Sequence, residues 1–146
     1  MNGTQILFAS LFALFSAQVI KFLLAMLQQG KLNFRPLVGT GGMPSSHTAL
    51  TVCLTVLIGL SQGWDSPLFA MCVIYTMIVM YDSAGVRRAA GRQAMVLNKI
   101  IDELTKTHQV SEERLKELLG HTPMEVFGGL VYGILVAILY FNYFTE

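Results

Sequence analysis

Two long stretches, at 6–27 and 124–144, are almost free of charge in a chain of only 146 residues. A helix that crosses a bilayer needs about 20 apolar residues, because the hydrocarbon offers an open backbone no partner. Both stretches fit, with Gln18 and Lys21 as the polar exceptions in the first. Two shorter apolar runs lie between them, at 48–60 and 68–81. They reach spanning length only with their polar ends, as 44–61 and 64–81. The break SQGWDSP between them suits a tight hairpin, with Trp64 as an interfacial anchor. A re-entrant hairpin is the alternative for this pair.

The composition agrees. The chain is 53% hydrophobic and 13% charged, with mean hydropathy +0.56, where a soluble domain carries roughly 25% charged residues. Most of the charge is crowded into 82–121. A net charge of +1 without a basic, aromatic-interleaved patch gives no reason to expect nucleic acid. Cys53 and Cys72 sit inside apolar runs, where free Cys behaves as a small hydrophobe, and no metal spacing or disulfide framework is visible. The opening MNGTQILFAS lacks a basic leader and does not read as a cleaved signal peptide.

Four spans put loops 28–47 and 82–123 on one side, and the termini and loop 61–66 on the other. Of the 10 Lys and Arg residues, all but Lys21 fall in the first two loops. The positive-inside rule makes those loops cytoplasmic and the termini external. The insert 85–120 has Ala90, Ala94, Leu97, Ile101 and Leu104 near helical spacing. Ser111 then reads as an N-cap before EERLKELL, and Gly120 as a stop. The expected fold is all-α: a single polytopic membrane helix bundle over 1–146, with four transmembrane helices plus two amphipathic helices on the cytoplasmic face. The amphipathic pair serves as surface packing or as a lid; the sequence does not separate the two.

The chemistry-bearing residues gather at one boundary. In GGMPSSHTAL, Pro44 suits the first position of a helix. The amides of Ser45, Ser46 and His47 would then leave the helix start, where the dipole favours anions, phosphate above all. Gly41 and Gly42 allow close backbone approach. A plain Ser-rich cap is the ordinary alternative. KLNFRP supplies Lys31 and Arg35, and Arg is suited to bidentate phosphate contacts. YDSAGVRRAAG supplies Asp82, Arg87 and Arg88. GHTPMEV supplies His121 and Glu125, one helical turn apart. Thr122 and Glu125 also form a T-x-x-E capping box with Pro123 at its first helical position, so Glu125 has a structural role open to it. Lys21, near the end of its span, reads as snorkelling. His108, in a polar linker, reads as solvated.

These segments together resemble a divergent, short branch of the type 2 phosphatidic acid phosphatase superfamily, related to vanadium-dependent haloperoxidases. Arg35-Pro36 matches the end of that superfamily's first motif, Lys, six residues, then Arg-Pro. Pro44-Ser45-Ser46-His47 matches its Pro-Ser-Gly-His motif, with Ser46 in place of Gly. His121 and Glu125 match the His-x-x-x-acid end of the third motif, and Arg88 is the best match for its Arg. The departures are clear. Lys31 is four residues before Arg35 rather than seven, the final acid is Glu rather than Asp, and 32 residues separate Arg88 from His121 rather than five.

The resemblance implies phosphomonoester hydrolysis through a phosphohistidine, without a metal or other cofactor. His121 would be the nucleophile, oriented by Glu125. His47 would be the acid and base, a role suited to an imidazole titrating near 6.5. Arg35 and Arg88, or Arg87 in its place, would hold the phosphate with Ser45 and Ser46. Lys31, Asp82 and Gly42 would support the site, and phosphate or vanadate would fit the same pocket. The expected partners are the bilayer and a lipid phosphate: phosphatidylglycerophosphate, phosphatidic acid or a prenyl phosphate. The expected setting is a bacterial plasma membrane with the site facing the cytoplasm. Alternatives are a non-catalytic module binding anionic lipid head groups, and a small transporter or scaffold. Against a transporter, the spans are nearly bare of polar residues at mid-membrane. Gly129-Leu-Val-Tyr-Gly133 permits close helix contact, in a homodimer or within the chain.

Overall fold

The structure is a computed structural model that describes residues 1–29, 42–105 and 120–145. Among these residues it is all helical: α1 (Gly3–Gln29), α2 (Ser46–Gln62), α3 (Pro67–Ala84), α4 (Val86–Thr105) and α5 (Pro123–Thr145). Three stretches, Gly3–Leu27, Pro67–Asp102 and Pro123–Phe144, are long and apolar enough to cross a membrane. α2 is apolar but has only 17 residues. At 1.5 Å per residue it rises about 25 Å, against ~30 Å of hydrocarbon. Three of the four expected spans therefore have spanning length, and the fourth is a shorter helix.

That short helix is the centre of the bundle. α1, α3 and α5 all pack on α2. Its buried residues run from Ser46 through Cys53 to Gly59. Small residues let its neighbours come close, as hydrocarbon-embedded helices require. On α1, Ala9, Ala13 and Ala17 are fully buried at a spacing of four. On α5, a Cβ at Gly129 would lie 2.5 Å from the Ser45 carbonyl oxygen, and one at Gly133 2.7 Å from that of Ala49. The G-x-x-x-G pattern thus serves a contact within the chain, α5 against α2.

Several polar groups in the bundle bond to one another across helices, as an apolar surrounding favours. Thr55 and Thr76 share a 2.9 Å hydroxyl–hydroxyl bond between α2 and α3. Thr76 Oγ1 also donates to the Thr51 carbonyl at 3.1 Å. The Tyr132 hydroxyl donates to Ser16 Oγ at 2.8 Å, tying α5 to α1. The α2–α3 hairpin is capped by Ser66, whose Oγ accepts the Phe69 N–H, with Pro67 following. Trp64 keeps 56% of its surface exposed, as an interfacial anchor would, and its ring lies over Gly59, where a Cβ would clash at 2.4 Å.

α4 follows α3 almost without a break. The Gly85 N–H donates to the Tyr81 carbonyl at 2.8 Å, and the Ala89 N–H to the Gly85 carbonyl at 2.9 Å. A helix was expected after 85, and Val86–Thr105 is one, but only a bend at Gly85 parts it from α3. The second amphipathic segment, capped by Ser111, lies outside the described residues.

Candidate active site

Residues 120–122 lead into α5 without helical structure, and here the site is built. The capping box forms as the sequence predicts: Glu125 N–H donates to Thr122 Oγ1 at 3.3 Å, and Thr122 N–H to Glu125 Oε2 at 3.1 Å. The same carboxylate oxygen stands 2.9 Å from His121 Nδ1. Capping and orienting are therefore not alternatives. A carboxylate only accepts, so Nδ1 carries the proton and donates, which leaves the Nε2 lone pair available. Among the described residues Nε2 takes no hydrogen bond. The backbone is held too, with His121 N–H donating to the Ser83 carbonyl at 3.1 Å. His121 is only 2% exposed.

The start of α2 is set against this turn. Ser45 is the N-cap, its Oγ accepting from Thr48 N–H and, at 3.0 Å, from Thr48 Oγ1. Pro44, expected as the first helical residue, lies before the cap, and its peptide bond with Met43 is cis. The Ser45 N–H, expected to face a ligand, donates instead to the Glu125 carbonyl at 3.0 Å. The cap takes up the Thr48 and Ala49 amides, while that of Ser46, the first helical residue, points out of the helix start. Ser45 and Ser46 are both buried.

Lys21 departs furthest from expectation. It does not snorkel: it is 3% exposed and interacts electrostatically with Glu125. Its stem runs along Gly42, where a Cβ would sit 2.8 Å from Lys21 Cδ. Gly42 also has φ +96°, a conformation that other L-residues rarely adopt. Glycine is required there twice over. A buried ammonium needs a charged or polar partner, and this site supplies one. The sequence signal was the Lys itself, an expensive residue within an apolar span.

His47 is placed differently from His121. It is exposed, on the α2 face turned from α5 and towards α3. Successive residues turn by about 100° along a helix, so His47 shares a face with Leu50 and Thr51. With Tyr75, Ile78, Val79, Asp82 and Ser83, these three line a cavity of about 260 Å³. Ser83 joins the two halves, since it lines this cavity and its carbonyl holds His121. The structure thus brings together Lys21, Gly42, Ser45, Ser46, His121 and Glu125, with His47 and Asp82 on the far side of Ser83. Arg87 and Arg88 fall in the first turn of α4, with side chains outside the described part. Lys31 and Arg35 lie outside the described residues. Among those described, no three His, Cys, Asp or Glu side chains cluster as a metal ion would need.

Apolar helices whose ends converge on a carboxylate-held histidine and a Ser-capped helix start define a class: a membrane protein with a polar site at one end of its bundle. The chain belongs to the Divergent PAP2 family, whose model matches residues 2–136. It is also 40% identical over 149 aligned residues to the uncharacterized membrane protein YuiD of Bacillus subtilis (strain 168), with 94% of each chain covered. No solved structure matches.

Proposed function

We propose that this protein is a lipid-phosphate phosphatase working through a phosphohistidine. The observation that carries the reading is the 2.9 Å bond from His121 Nδ1 to Glu125 Oε2 in a buried turn. It orients an imidazole and balances the positive charge the ring gains on attack. His121 Nε2 forms a bond to phosphorus as the bond to the alcohol oxygen breaks. That oxygen takes a proton from His47. Water then gives a proton to His47 and attacks phosphorus, the P–N bond breaks, and inorganic phosphate leaves. Lys21, the Ser46 amide, Arg35 and Arg88 or Arg87 hold the phosphoryl oxygens. Lys21, rather than Lys31, is the lysine of the site. α2 crosses the membrane as the fourth span, and the site faces the cytoplasm.

Family membership supports the phosphatase reading, and the location at helix ends supports a membrane-borne substrate. The test is phosphate release by purified protein from phosphatidic acid, phosphatidylglycerophosphate and prenyl phosphates, with and without orthovanadate. Release that vanadate suppresses is expected. Tight lipid-phosphate binding with no release by folded protein would replace catalysis with head-group binding.

A further inference from the structure

The cavity between α2 and α3 has two unlike ends. His47, Asp82 and Ser83 form the polar one, and Ser83 is the residue whose carbonyl holds His121. Leu50, Tyr75, Ile78 and Val79 form the apolar one. Thr51 belongs to the apolar wall in practice, because its hydroxyl already donates to carbonyls of its own helix, those of His47 and Thr48, at 3.2 and 3.3 Å. The apolar end opens sideways. Tyr75 and Ile78 are 54% and 61% exposed, and both also line a second depression, with Ala70, Met71 and Ile74, on the outer face of α3. That face lies within a stretch long and apolar enough to cross a membrane, where it would meet hydrocarbon.

We propose that this cavity is the leaving-group subsite and takes the hydrocarbon chain adjoining the phosphate of a membrane lipid, which enters laterally between α2 and α3. The inference rests on the phosphatase reading for the role of His47, but the chain's path does not depend on turnover. A lipid phosphomonoester presents a charged head joined to an apolar chain through a short polar link. The cavity meets that order: the site beyond Ser83, then His47 and Asp82, then an apolar groove continuous with the bilayer. A small water-soluble phosphomonoester would leave the groove empty.

The test is photo-crosslinking in nanodiscs, using phosphatidic acid with a diazirine on an early acyl methylene. Phosphatidylcholine bearing the same diazirine controls for lipid that merely surrounds the helices. Adducts at Leu50, Tyr75, Ile78 and Val79 should be at least fivefold enriched with phosphatidic acid, and Val79→Trp should remove the enrichment. Equal labelling by the two lipids, or enrichment along α1 or α5 instead, would overturn the subsite whether or not the protein turns over. In a phosphate-release assay, Val79→Trp should lower kcat/KM at least tenfold for long-chain phosphatidic acid. It should leave para-nitrophenyl phosphate within twofold. An equal fall for both substrates would contradict the subsite; no release by the wild type from either would count against the phosphatase reading alone.

Discussion

The two histidines sit in opposite environments. His121 is buried, its ring held by a carboxylate and its backbone by the end of α3. His47 is exposed on a cavity wall. The division follows from helix geometry and glycine. Gly129 and Gly133 draw α5 onto the face of α2 that carries Ser45, Ala49 and Val52. His47 lies about 200° around the helix from Ser45, so it must face elsewhere. A nucleophile benefits from being fixed and dry, and a proton carrier from reaching both the alcohol and water. The burial pattern suits those two roles in that order.

The largest effect that would sharpen this comparison is at His121. Replacement by Ala should lower phosphate release by up to about 10⁶-fold, the loss seen when a catalytic nucleophile is removed, in protein that melts like the wild type. His47→Ala should cost about 10²–10⁴-fold with a lipid substrate, the usual worth of a general acid–base group. It should cost far less in the first step with para-nitrophenyl phosphate, whose leaving group needs no proton. An equal loss in that step, followed by rapid quench, would remove the acid role from His47.

Glu125 separates orientation from capping. Gln can keep the cap, since either residue serves at that position, but it cannot balance an imidazolium. Glu125→Gln should therefore lower kcat by up to about 10⁴-fold, the loss seen for a triad orienter, with little change in melting temperature. Glu125→Ala should in addition lose about 1 kcal/mol of stability with the cap. Lys21→Met should cost about 10²-fold in activity, as for a lost oxyanion donor. Activity unchanged in Lys21→Met would return that residue to a structural role. The smallest effect on chemistry, and the clearest on packing, is at Gly129. Gly129→Ala should destabilise by about 1–3 kcal/mol through overpacking against Ser45 and Thr48, read from thermal unfolding in detergent.

What could be read in advance divides along the same line as the histidines. Local features were legible: the apolar runs, the SQGWDSP hairpin between two of them, and the Thr122–Glu125 box with His121 one turn away. Features made by distant contacts were not. Nothing local says that Gly42 admits the Lys21 stem, because two residues 21 positions apart in sequence meet there only when the start of α2 packs against α1. The Ser45 amide looked available because its partner, the Glu125 carbonyl, comes from the far end of the chain. The G-x-x-x-G face could not choose its neighbour until α2 was seen to be the hub.

The most direct test is to look for the covalent intermediate. Purified protein would be mixed with ³²P-labelled phosphatidic acid, quenched within milliseconds, and the label mapped. The account predicts an acid-labile, base-stable phosphoprotein labelled at His121. It should vanish in His121→Ala, and should accumulate in His47→Ala when ³²P-labelled para-nitrophenyl phosphate, whose leaving group needs no proton, replaces the lipid. Phosphate release that persists in His121→Ala, with no labelled protein at any time point, would contradict it.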